Sequence, residues 1–173
     1  MKILARALIT IAVLVLLFFI FLYSGFYNIG ATSPHNKLTL WVISKLKDNS
    51  IEHHSNSIIV PNLNDTAMAA AGFLRYREMC VGCHGAPGVK QNEIAAGLYP
   101  KPPRLYKSIV DLTPQELFWI TKNGIKMTGM PAFGPTHTDK MIWNIVAFMK
   151  QLPKMSASEY HSIEVKNKLR YVE

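Results

Sequence analysis

"MCVGCHGAPG", residues 79–88, decides how the rest of this 173-residue chain is interpreted. Cys80 and Cys83 are separated by two residues, and His84 follows the second cysteine directly. Cysteines at this spacing can hold zinc, cycle between two thiols and a disulfide, or form thioethers with a haem. Because each chemistry belongs to a different fold, the flanking sequence has to decide between them.

The flanking sequence gives little support to zinc or to a redox disulfide. A structural zinc site needs four ligands, and apart from the adjacent His84 only the distant His137 and His161 follow the cysteine pair. A redox pair opens a helix among alternating strands and helices, whereas this pair closes a helical pattern. Cys-x-x-Cys-His is the attachment signature of c-type haem. The motif therefore predicts one covalently attached haem c, bound by Cys80 and Cys83 with His84 on the iron.

A sixth iron ligand has to come from another part of the chain, and the candidates are His137, Met127 and Met130. The stretch "TGMPAFG" places Met130 directly before Pro131, which keeps the backbone extended and prevents a helix. A methionine in such a turn has little helical core to fill. We therefore predict Met130 as the sixth ligand in preference to Met127.

Helical patterns flank the motif on both sides, and the segments between them are rich in glycine and proline. In the first helix Gly72 and Tyr76 are four residues apart and share one face, which could receive another helix closely. Thr113 and Glu116 predict a capping box for the second helix. The predicted limits of the three helices are Asp65 to about Met79, Thr113 to Gly124, and Thr138 or Asp139 to Pro153.

The N-terminus contains 21 uncharged residues, from Ala7 to Tyr27, preceded by Lys2 and Arg6. This stretch can cross a hydrocarbon core of about 30 Å as a helix, and it exceeds the roughly 7–15 apolar residues of a cleavable signal. We predict a membrane anchor with Met1 in the cytoplasm and everything after residue 28 outside. The alternative is a signal peptide cleaved near "NIGA".

The segment after the anchor, "SPHNKLTLWVISKLK", predicts an amphipathic helix with Ser33 as its N-cap and Pro34 at its first position. Trp41 would lie at the headgroup level of a membrane. Alternatively, the helix packs on the following domain. The next stretch, "DNSIEHHSNS", predicts a polar linker.

The tail, the net charge and the number of cysteines add three further expectations. Ser156 and Glu159 predict a capping box, and hence a short surface helix in the tail. The net charge of +8 is spread along the chain without a run of like charge, so we expect no nucleic-acid partner. The chain has only two cysteines, Cys80 and Cys83, and so lacks a distant pair that could form a stabilising disulfide.

From about Asp65 to Pro153 the sequence resembles the class I mono-haem cytochromes c, and the whole chain resembles a membrane-anchored member of that family. In the family the attachment motif ends the first helix, and a Gly-Met-Pro turn before the last helix supplies the methionine ligand. Cys80–His84 and Gly129–Pro131 match these two features. The resemblance thus implies the same haem ligands as the motifs do.

The resemblance also implies two contacts in the folded domain. The first and last helices cross, which would pair Gly72 and Tyr76 with Ile145 and Phe148. A proline carbonyl holds the second ring nitrogen of the histidine, which fixes its tautomer and orientation. The candidates for that proline are Pro100, Pro102 and Pro103.

The expected fold is all-α: a class I cytochrome c-like haem domain preceded by one N-terminal transmembrane helix. The expected divisions are a membrane anchor (1–30), a membrane-proximal amphipathic segment and linker (31–64), the haem domain (65–153) and a C-terminal tail helix (154–173).

With His84 and Met130 on the iron no position is open for a substrate, so the resemblance implies a single-electron carrier rather than an enzyme. We expect it on the periplasmic side of a bacterial-type inner membrane, as a single-pass protein. Its donor would be a quinol-oxidising complex or a dehydrogenase, and its acceptor a terminal oxidase or reductase. The alternatives are a fixed subunit of a respiratory or dehydrogenase complex, or a haem enzyme or gas sensor with a displaceable Met130.

Overall fold

The computed structural model describes residues 2–169, and over these residues every regular element is a helix, as predicted. The chain divides between Ser33 and Pro34 into an N-terminal unit and a larger C-terminal unit. In chain order, the elements are α1 (Lys2–Tyr23), α2 (Lys37–Ser55), α3 (Thr66–Arg75), a π-helical turn (Tyr76–Cys80), α4 (Val81–His84), α5 (Glu93–Gly97), α6 (Leu105–Ser108), α7 (Pro114–Asn123), α8 (Asp139–Met149), a 3₁₀ turn (Leu152–Lys154) and α9 (Ala157–Leu169).

Helix α1 is formed almost entirely of apolar side chains, and none of them is buried. Its length and composition are those of a helix that can cross a membrane, or of the apolar part of a signal sequence.

Helix α2 differs from the sequence-based prediction at both ends. It begins at Lys37 rather than Pro34, because Asn36 caps it: the Asn36 side chain accepts a hydrogen bond from the Thr39 N–H at 2.8 Å. It then continues to Ser55, so the predicted polar linker is wrong over most of its length. The sequence did not indicate the C-terminal part of this helix, because its buried face carries only one large apolar side chain, Ile51, among polar residues.

The first and last helices of the domain cross at Gly72. A Cβ atom on Gly72 would lie 1.9 Å from the backbone oxygen of Asn144, so the two backbones touch where only glycine fits. Beside this contact the rings of Tyr76 and Phe148 lie with their centroids 5.3 Å apart. The predicted crossing is confirmed, although the close partner of Gly72 is Asn144 rather than Ile145.

The helix that leads to the cysteines begins next to its predicted limit, because Asp65 caps it by accepting a hydrogen bond from the Ala67 N–H at 2.8 Å. It widens into the π-helical turn before the attachment motif, which the sequence did not indicate. The turn leaves Tyr76 fully buried, and its hydroxyl donates a 2.7 Å hydrogen bond to the Gly85 carbonyl. This bond ties the helix to the loop that follows the motif.

The caps of α7 and α8 agree with the sequence. Thr113 and Glu116 bond reciprocally, as a capping box does, and Gly124 ends α7 with a positive φ of 67°. Of the two candidate caps for α8, Thr138 is the one that accepts a hydrogen bond, from the Met141 N–H. These local signals determine where α7 begins and ends and where α8 begins.

The tail helix α9 begins with the predicted capping box between Ser156 and Glu159. It is not only a surface helix, because Tyr160 is 1% exposed and its ring centroid lies 5.5 Å from that of Phe73. The tail therefore contributes to the same core as the crossing of α3 and α8.

Candidate functional site

A cavity of about 500 Å³ opens between helices α2, α4, α7 and α8 and the two proline-containing loops. Most of its walls are apolar side chains and prolines, among them Leu117, Ile145 and Met149. The predicted haem-binding residues all line it, and these are Cys80, Cys83, His84 and Met130. The fold thus brings together four residues that the sequence separates by up to 50 positions.

The two cysteines reach the cavity from the end of the π-helical turn and from α4. Burial raises the pKa of the Cys80 thiol to about 12, so this thiol stays protonated at neutral pH. A protonated thiol is a poor nucleophile for disulfide exchange. Among residues 2–169, no three His, Cys, Asp or Glu side chains come together as a metal site would require.

His84 is held by a hydrogen bond of 2.8 Å between its Nδ1 and the carbonyl oxygen of Pro103. A carbonyl oxygen only accepts hydrogen bonds, so Nδ1 carries the hydrogen and Nε2 keeps its lone pair. Burial lowers the pKa of His84, against the smaller opposing effect of the Pro103 carbonyl, and this favours the neutral ring. Of the three candidate prolines, Pro103 supports the histidine.

Gln91 is a positioning residue that the sequence did not reveal. Its side-chain amide donates to the carbonyl of Cys83 at 2.7 Å and to that of Pro102 at 2.8 Å. One side chain thus ties the attachment motif to the proline loop that accepts from His84. A glutamine in an irregular loop has no pattern that could have indicated this role.

The three candidates for the sixth ligand differ in position. Met130 is half-buried and lines the cavity, and its N–H donates to the Thr128 hydroxyl at 3.1 Å. Met127 is fully exposed, at a backbone φ of 57°. His137 lies outside the cavity lining, with its Nδ1 2.8 Å from the Thr136 hydroxyl. Of the three, the geometry favours Met130.

Helix α2 also lines the cavity, through Lys47, Asp48, Ile51 and Glu52. The sequence-based prediction put the last three of these in or at the edge of a linker. Its alternative, a helix packed on the following domain, describes the C-terminal half of α2, which packs against α7.

The residues of the cavity fit a haem c. Two thiols lie at the spacing that can form both thioethers, and an imidazole presents a free nitrogen to the same space. A thioether side chain, that of Met130, reaches the cavity from another loop, and the remaining walls are apolar, as a porphyrin requires.

Comparison with known proteins agrees with this description. The family model described as cytochrome c oxidase, cbb3-type, subunit III matches residues 67–149, a range that includes the attachment motif and Met130. No curated protein matches the chain. The helical fold, the crossing at Gly72 and the matched family model lead to one identification, which the sequence had predicted: the chain carries a mono-haem class I cytochrome c domain, which binds one covalently attached haem c.

Proposed function

We propose that the protein is a membrane-tethered carrier of single electrons, in which Cys80 and Cys83 form the thioethers and His84 and Met130 bind the iron. A cytochrome c domain implies electron transfer, and when bound its haem supplies a one-electron change between ferrous and ferric iron. The observation that carries the proposal is the cavity lined both by His84, whose Nε2 keeps its lone pair, and by Met130 from a distant loop of the sequence.

The chain's own residues make electron transfer more favourable than catalysis. His84 and Met130 would together hold the iron, so a substrate or oxygen could bind it only by displacing one of them. The sulfur of Met130 favours the ferrous state, and apolar walls that exclude water act in the same direction. The domain therefore exchanges electrons without making or breaking bonds to a substrate.

The membrane tether in this proposal is α1, with Lys2 and Arg6 on its N-terminal side. The positive residues would keep Met1 in the cytoplasm and place the haem domain on the periplasmic side of a bacterial-type inner membrane. The corresponding divisions of the chain are those predicted from sequence, with the anchor over 1–30, the membrane-proximal segment over 31–64, the haem domain over 65–153 and the tail over 154–173.

The N-terminal half of α2 supports a position next to a membrane. Leu38, Trp41, Val42 and Leu46 are all exposed there, although the C-terminal half of the same helix is docked on the domain. An exposed tryptophan among leucines, with lysines nearby, suits the interface between lipid and water. The same surface could join a larger complex, which favours a fixed subunit as the second candidate. Release of the protein alone by mild detergent would favour the carrier.

The redox partners in this proposal carry acidic docking surfaces. Lys47 and Lys101 line the cavity, and further lysines are exposed on the same unit, namely Lys90, Lys107, Lys126 and Lys140. Opposite charges would steer the encounter and raise the association rate, more strongly at low salt. We propose a quinol-oxidising complex or dehydrogenase as donor, and a terminal oxidase or reductase as acceptor.

Covalent attachment can be tested by extraction with acidified acetone. Haem should stay with the wild-type polypeptide, because Cys80 and Cys83 both form thioethers. The double variant Cys80→Ala with Cys83→Ala should release any bound haem into the organic phase. Haem in the organic phase from correctly matured wild-type protein would contradict the proposed attachment.

The tether can be tested by washing membranes with high salt and with carbonate. Wild-type protein should remain in the membrane fraction, because extraction of an apolar helix of 22 residues exposes its side chains to water. Replacing Leu14 and Leu17 together by lysine should weaken insertion, since a central lysine costs about 3 kcal/mol. A soluble mature protein with its N-terminus near residue 30 would rule out the anchor and establish a signal peptide.

A further inference from the structure

We propose that the C-terminal half of α2 is part of the haem site, in which Ile51 shields the haem from water and Glu52 favours the ferric state. This segment lies outside residues 67–149, the part of the chain that the family model matches. The inference rests on the proposed function in one respect, namely that the haem occupies the cavity lined by Cys80, Cys83 and His84.

The first observation is that this half of α2 is firmly docked. Ile51 is 6% exposed and Ser55 is 1% exposed, and with Lys47 they follow one another at intervals of four residues along one face. The Ser55 hydroxyl donates to the Glu52 carbonyl, which satisfies the one buried hydroxyl on this face. The ring of His54 lies 5.7 Å from that of Trp119 on α7, outside the cavity lining.

The second observation is that the docked turns line the same cavity as the predicted iron ligands. Lys47 and Asp48 form an ion pair, so their charges largely offset one another. Within residues 2–169 no ion pair offsets Glu52, which leaves one net negative charge on this wall. Ile51 is the buried apolar side chain of the same wall.

Ile51 and Glu52 should act on the reduction potential of the haem in opposite directions. Ferric iron carries one more positive charge than ferrous iron, so it gains more from water and from a nearby carboxylate. Ile51 keeps water out and thereby favours the ferrous state. The Glu52 carboxylate favours the ferric state, by a modest amount because its side chain is exposed and therefore screened.

The test measures the midpoint potential of full-length, haem-loaded variants by optical titration. Ile51→Ala should shift the equilibrium about threefold towards ferric protein, which is about 28 mV at 59 mV per tenfold change for one electron. Glu52→Gln should shift it about twofold towards ferrous protein. Two matched controls should leave the potential unchanged: Ile43→Ala, about two turns earlier on the same helix where the side chain is exposed and outside the cavity lining, and Glu93→Gln, away from the cavity.

Shifts of opposite sign in the two variants would support the proposal. Equal potentials in Ile51→Ala and Ile43→Ala would overturn it even if Ile51→Ala lowers the melting temperature, because loss of packing alone would account for that. If Ile51→Ala yields no haem-loaded protein, Glu52→Gln decides: a raised potential supports the proposal and an unchanged one overturns it. Failure of the proposed ligation would be seen separately, as a wild-type spectrum without methionine-ligated haem.

Discussion

Met130→Ala is expected to open the haem iron to carbon monoxide, to abolish the weak far-red absorption of the sulfur–iron bond and to lower the reduction potential. With Met130 as the proposed sixth ligand, alanine would leave one position on the iron open, and the ferrous state would lose the sulfur that stabilises it. If the methionine leaves the iron in fewer than about 1% of wild-type molecules, the variant should bind carbon monoxide at least about a hundredfold more tightly. Optical titration of the ferrous wild-type and variant proteins with carbon monoxide measures the two affinities.

The matched control is Met127→Ala, three residues earlier in the same loop. Met127 is fully exposed and lies outside the cavity lining, so its replacement should change neither the spectrum nor the potential nor carbon monoxide binding. The carrier proposal would lose its main support if the wild-type protein took up carbon monoxide readily at neutral pH. A gas-binding or peroxidase-like function would then become the first candidate.

Gly72→Ala is expected to destabilise the domain by about 3 kcal/mol or more. The added Cβ would meet the backbone oxygen of Asn144 at 1.9 Å, and a backbone atom cannot move aside as a side chain can. The two crossing helices would have to separate, which would also disturb the contact between Tyr76 and Phe148. Denaturant unfolding of the haem-loaded protein, followed by circular dichroism, measures the loss.

Gly97→Ala provides the comparison for this change. Gly97 ends α5, and a Cβ atom there has no neighbour within 4 Å, so the substitution should change the free energy of unfolding by less than about 1 kcal/mol. Equal stabilities of the Gly72 and Gly97 variants would show that the close crossing of α3 and α8 is absent in solution.

The parts of the fold that the sequence predicted are those set by short-range rules. Cys80, Cys83 and His84 lie within five consecutive residues, which is the spacing of the haem attachment signature. The capping box of Thr113 and Glu116 spans a single helical turn, so its residues specify it wherever the helix lies.

Long-range packing could not be predicted in the same way. The docked face of α2 combines Lys47, Ile51 and Ser55, a combination that is typical of a polar segment. Its burial depends on contacts with residues that are distant in the sequence. The choice of Pro103 depended on the path of a loop in which prolines occupy three of four consecutive positions. Sequence spacing cannot resolve which of them turns its carbonyl towards the histidine.

The two proposed iron ligands, His84 and Met130, are held by different sets of hydrogen bonds. On the histidine side, Pro103 holds the ring and Gln91 ties together the two segments that carry the donor and the acceptor. At Met130 the hydrogen bond is made by the backbone N–H, which donates to the Thr128 hydroxyl, and not by the side chain.

Under the proposed ligation, His84 should change its position little when the charge on the iron changes, because its ring and the loop that accepts from it are both held by hydrogen bonds. Any exchange of an iron ligand would then be expected at Met130 rather than at His84.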